Sequence, residues 1–151
     1  MDEVQTGRTP IHLWIVGVVS LIWNSFGAYD YLMTRMRNMD YLASMMPGVD
    51  PNVVLNWVDS FPIWAQFGWG LGVWSAIIGS ILLLMRSRWA FIAFGLSLLG
   101  MAMSLGYQIL AAPPPPELNV GAMAFMPYVI ILVGVALFYY AYMQRQKGVL
   151  R

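Results

Sequence analysis

Four stretches of this chain contain no Asp, Glu, Lys, Arg or His: 13–29, 60–85, 89–116 and 118–144. A helix needs about 20 mainly apolar residues to cross a hydrocarbon layer roughly 30 Å thick, and each stretch can supply most or all of one. Trimmed to their apolar cores, the stretches predict helices near 11–34, 62–85, 89–111 and 121–143. Transmembrane strands would alternate polar with apolar residues over about ten positions, whereas these runs are apolar on every face. The expected fold is therefore all-α: a polytopic membrane protein forming one membrane domain over 1–151, with four transmembrane helices in an antiparallel bundle. A long outer loop at about 35–61 follows the first helix and carries short interfacial helices.

Composition points the same way. Of 151 residues 60% are hydrophobic and 10% charged, with a mean hydropathy of +0.65, whereas a soluble domain is roughly a quarter charged. So few charges cannot coat a water-facing globule. Cysteine is absent, which removes disulfides, thiolate catalysis, iron–sulfur clusters and Cys-type zinc sites. A net charge of +1 offers no basic footprint for nucleic acid. The leader before the first run carries Asp2 and Glu3 against Arg8 and no small-residue cleavage pattern follows, so the first run reads as a retained anchor rather than a signal peptide.

Orientation follows from the basic residues. With four spans, Arg8, Arg86, Arg88, Arg145, Lys147 and Arg151 share one side, while Arg35 and Arg37 lie on the other. The positive-inside rule then places both termini in the cytoplasm. Asp30, Asp40, Asp50, Asp59 and Glu117 fall outside. Aromatic residues mark both interfaces, with Trp14, Trp89, Tyr139, Tyr140 and Tyr142 inside and Tyr29, Tyr31, Trp64, Tyr107 and Tyr128 outside.

Between the second and third spans only Arg86, Ser87 and Arg88 intervene, so those helices must be neighbours. In the long outer loop, 39–46 suits a short helix ending before Pro47-Gly48. Asp50-Pro51 reads as an N-cap followed by proline at the first helical position, opening a helix through Trp57. Val53, Val54, Trp57 and Val58 share its apolar face. This loop is expected to be an interfacial lid resting on the bilayer or the bundle mouth, or else a gate or docking surface. Pro113 to Pro116 must lie outside any span, because each proline removes a donor that lipid cannot replace. Pro127 either kinks the fourth helix or starts it.

An ionisable group within the bilayer marks an ion path or a relay, and none of the four cores clearly contains one. Asp30 is the nearest candidate, about 28 Å along the helix from Ile11 and so at the outer interface. Thr34 and Arg37 are its expected partners if that helix continues. Asn24 lies well inside the hydrocarbon, one turn after Ser20 and beside Ser25. A buried amide must find partners, across helices or on a ligand. Gln66 and Gln108 fall at a depth where they could join Asp30 and Tyr31 in a polar outer vestibule. Ser20, Asn24, Asp30, Tyr31, Gln66 and Gln108 are therefore the candidate ligand-binding or interhelical cluster.

Small residues recur at four-residue spacing on the second span, as Gly68, Gly72, Ala76 and Ser80. Ala93, Ser97, Gly100 and Ser104 trace a similar stripe on the third. Such stripes let helices approach closely, which makes Gly68, Gly72, Ala76, Ser97, Gly100 and Ser104 the candidate packing residues. His12 is the sole histidine, so one chain offers neither a bis-histidine haem nor a zinc site. The twelve methionines read as core filling. No catalytic residue, cofactor or metal site is assigned.

The segment 13–32, with Trp23-Asn24-Ser25-Phe26-Gly27-Ala28-Tyr29-Asp30 at its centre, resembles a family of small proteobacterial inner-membrane proteins, as do Ser60-Phe61-Pro62-Ile63-Trp64, Gly72-Val73-Trp74 and 84–90. Members often carry the label of sugar transporter. The resemblance implies a bacterial inner-membrane location and carries no site residue onto this chain. Two functions stay open. One is a non-catalytic membrane protein that assembles with a second copy or a membrane partner through the Gly/Ser stripes and the outer loop. The other is an oligomeric carrier of a small uncharged solute, with Trp69 or Trp74 as a stacking face for sugar. The lipid bilayer is a partner in either case.

Overall fold

The computed structural model describes residues 8–151. Six α-helices follow one another: α1 (Ile11–Arg35), α2 (Met39–Met45), α3 (Pro51–Asp59), α4 (Ile63–Leu84), α5 (Ala90–Leu110) and α6 (Met126–Gln146). Two 3-10 turns, Pro116–Leu118 and Gly121–Ala124, lie between α5 and α6, and the described residues contain no strand. By length and composition α1, α4, α5 and α6 are each sufficient to cross a membrane.

Local chemistry sets the boundaries. Prolines at 10 and 62 occupy the N-cap positions of α1 and α4, where their fixed extended backbone precedes the first turn. After α1 and α4 the chain enters the left-handed region at Arg37 (φ 55°) and Arg86 (φ 59°). Each thereby turns the chain away from its helix axis, the manoeuvre that glycine usually performs. Asp50 caps α3 as the dipeptide suggests, its carboxylate accepting the Asn52 backbone N–H at 2.9 Å. The fourth long helix requires a correction: it begins at Met126 rather than near 121. Pro127 sits in its first turn, where a missing N–H costs nothing, and 121–124 form a 3-10 turn instead.

The long helices pack in sequence, α1 along α4, α4 along α5 and α5 along α6. The closest approach is between α4 and α5, where the two small-residue stripes meet. A Cβ added at Gly100 would collide with the backbone of Gly72 and lie 2.5 Å from the Gly68 carbonyl oxygen. Ser97 seals the contact by donating its hydroxyl to the Gly72 carbonyl at 2.8 Å. Ala76, Ser97, Gly100 and Ser104 are all buried. These stripes are thus spent inside one chain.

One end of the molecule gathers the start of α1, the end of α4, the start of α5 and the end of α6 around Leu13, Leu83, Ala90, Phe94, Leu137, Ala141 and Leu150. Reciprocal backbone bonds clasp it, from Arg88 N–H to the Arg151 carbonyl (2.9 Å) and from Arg151 N–H to the Arg86 carbonyl (2.8 Å). His12 Nδ1 and the Tyr140 hydroxyl share a hydrogen bond of 2.5 Å there, linking α1 to α6. At the far end α2 and α3 fold over the helix mouths. Their residues Leu42, Val54, Leu55 and Val58 bury together with Leu118, and Trp57 of α3 and Trp69 of α4 pack against them. The apolar face of the lid therefore rests on the protein.

Candidate functional site: a lidded cavity

Beneath this lid lies a cavity of about 380 Å³. Its walls come from every part of the chain near that end: Asp30 and Thr34 from α1, Trp69 from α4, Leu105 and Gln108 from α5, and Tyr128 and Ile130 from α6. Met46, Val54, Trp57 and Val58 form the roof, while Pro113, Pro114, Leu118 and Met123 complete the rim. The lining is mainly hydrophobic and aromatic with a few convergent polar groups, the usual character of a small-molecule site.

Asp30 is the one acidic side chain in this lining. Its Oδ1 accepts the Tyr41 hydroxyl at 2.9 Å. The partners expected from helical spacing, Thr34 and Arg37, do not take that role. The left-handed backbone at Arg37 ends α1 too early for the next turn to return to Asp30, and Arg37 pairs instead with Asp59 at 2.7 Å. Arg35 is also engaged elsewhere, donating to Gln66 Oε1 at 2.8 Å. Tyr41 reaches Asp30 because Asn38 caps α2 through the Tyr41 backbone N–H, fixing the ring beside α1. Burial, followed by the charge of Asp30 and the hydrogen bond to it, pushes the Tyr41 phenol well above its ordinary pKa. Tyr41 therefore remains a neutral donor.

Only half of the expected vestibule of Asp30, Tyr31, Gln66 and Gln108 comes together. Asp30 and Gln108 line the cavity. Gln66 instead braces the entry to α4, donating Nε2 to the Phe61 carbonyl at 2.9 Å. Tyr31 packs edge-on against Trp69 at 4.9 Å and Trp74 at 6.3 Å between ring centres, so it supports the Trp69 wall from behind. Consecutive helical residues point about 100° apart, which is why Asp30 and Tyr31 diverge.

Asn24 and Ser20 also lie away from the cavity. Asn24 Nδ2 donates to Ser80 Oγ at 2.9 Å and to the Ala76 carbonyl at 3.3 Å, tying α1 to α4. Ser20 donates to the Gly17 carbonyl within its own helix. Both are helix-stabilising in this arrangement.

Tyr41, Met46, Pro113 and Met123 were not singled out as site residues by sequence alone. Their contributions depend on where the loops fold back, and no local spacing announces that. Trp57 has the clearest prior signal, as a large residue on the apolar face of α3. Its indole N–H donates to the Ala112 carbonyl at 3.1 Å, anchoring the lid to the proline segment. Among the described residues no group of three or more His, Asp or Glu side chains is placed to hold a metal ion. No protein-family model, curated protein or solved structure matches this chain.

Proposed function

We propose that the chain is a non-catalytic, four-span integral membrane protein of the bacterial inner membrane that receives a small molecule in the lidded cavity. The four long helices form an antiparallel set, both termini face the cytoplasm, and the lid faces the opposite compartment. The carrying observation is the 380 Å³ space itself, lined by one carboxylate, Asp30, and two amides, Gln108 and Asn119, among tryptophan, methionine and aliphatic walls. Large outward apolar side chains such as Phe26 (70% exposed), Ile63 (86%) and Leu132 (69%) support immersion of the helices in lipid.

The cavity lies at one end only, because Leu13, Leu83 and Phe94 fill the other. A single chain therefore binds a solute without offering it a path across. Carriage of the solute would require a second copy. Assembly with another copy or a membrane partner is the second reading, favoured by α6, on which only Gly134, Leu137, Ala141 and Gln144 are buried. Its contact surface would be the outer faces of α1 and α6, since the Gly/Ser stripes are occupied.

Absence of native cysteine makes a labelling test direct. In intact cells, Leu105→Cys in the cavity should react with a membrane-impermeant thiol reagent, whereas Ser87→Cys at the other end should react only after permeabilisation. The reverse pattern would overturn the orientation, and a Leu105→Cys inert even after permeabilisation would remove the accessible cavity.

A further inference from the structure

Resting on the reading of the cavity as a small-molecule site, we propose that it selects an organic cation: an ammonium group attached to an apolar body. Charge complementarity is the first reason. Asp30 is the cavity's one carboxylate, and only its Oδ1 is engaged, by Tyr41. Among the described residues no arginine or lysine pairs with it, since the one ion pair found joins Arg37 to Asp59 and Arg35 is held by Gln66. An anionic group at the edge of a largely apolar space lacks a counter-charge, and binding a cation would supply one.

The second reason is the aromatic surround. Trp57, Phe61, Trp69 and Tyr128 line the same space, and the faces of such rings attract cations, most strongly when water is excluded. Edge-on packing of Tyr31 against Trp69 and of Phe61 against Trp57 at 5.1 Å between centres holds three of these rings in place. Met46 and Met123 add flexible, polarisable walls that accommodate an apolar body of varied shape. A sugar would demand several fixed polar partners. Here Asp30, Thr34, Gln108 and Asn119 are the only side chains in the lining that offer amide, hydroxyl or carboxylate groups besides Tyr128, and Gln108 already donates to Ser104 Oγ at 3.4 Å.

The test compares two ligands of equal shape and different charge, benzyltrimethylammonium and its neutral carbon isostere neopentylbenzene, by isothermal titration into the full chain in lipid nanodiscs. Wild type should prefer the cation by about tenfold, equivalent to about 1.4 kcal/mol, and Asp30→Asn should abolish that preference. Equal binding of both compounds to wild type would overturn cation selection and leave the cavity reading intact. A wild type that binds neither compound would overturn both. Because the decisive comparison is made on wild type, it stands even if Asp30→Asn does not fold.

Discussion

The hydroxyl of Tyr41 and the carboxylate of Asp30 meet at 2.9 Å, joining the first lid helix to the first long helix at the wall of the cavity. Tyr29 adds an edge-on contact to the same ring at 5.4 Å between centres. The lid is thus tied down beside the only charged group in the lining. Its other ties are the Trp57 bond to the Ala112 carbonyl and the Arg37–Asp59 pair. The latter is exposed and contributes little.

Burial and the neighbouring carboxylate raise the Tyr41 phenol above its ordinary 10.0. A group whose folded pKa is raised adds stability that is complete below its unfolded value and is lost as pH rises through the folded one. The Tyr41–Asp30 tie should therefore persist through pH 10 and fail only in stronger alkali. An absorbance titration of wild type minus Tyr41→Phe checks this. No phenolate step belonging to residue 41 is expected near pH 10, and a step there would contradict the partly buried, Asp30-bound donor.

Asn24→Leu should cost about 1 kcal/mol of helix association, the scale of an interhelical hydrogen bond in lipid. The loss is small because Ser80, one of its acceptors, keeps its own bond to the Ala76 carbonyl at 3.0 Å. Ligand retention should be unchanged, since Asn24 lies outside the cavity lining. A folded Asn24→Leu protein that no longer binds ligand would show that this amide belongs to the site.

Gly100→Ala should destabilise the chain by about 1–3 kcal/mol, the range for overpacking a tight contact. Its new methyl would meet the backbone of Gly68 and Gly72, which cannot rotate aside. Gly27→Ala is the matched control, because nothing lies within 4 Å of its added carbon. Thermal unfolding in detergent should separate the two, and equal midpoints would contradict the close α4–α5 approach.

Three long helices begin and end within about two residues of the positions that hydropathy suggests, because charges and prolines bound them sharply. The fourth starts five residues later, at Met126 rather than 121. An uncharged stretch carries no mark of where a 3-10 turn gives way to a helix, and only Pro127 hints at it. Asp30 and Gln108 were visible as candidates from depth alone. Depth without azimuth could not separate them from Tyr31 and Gln66, although the 100° step between residues 30 and 31 already argues against a shared face. The pairing of Asp30 with Tyr41 is a different case. It depends on the left-handed residue Arg37, a conformation that arginine rarely adopts and that its sequence does not signal.

Occupation of the lidded cavity is the central claim, and native mass spectrometry of the chain released from its own lipids tests it most directly. Wild type should carry a small co-bound mass, and Leu105→Trp, which fills the cavity from α5, should lose it while remaining folded by circular dichroism. A wild type without any co-bound small molecule, or a Leu105→Trp protein that retains the same mass, would contradict the account.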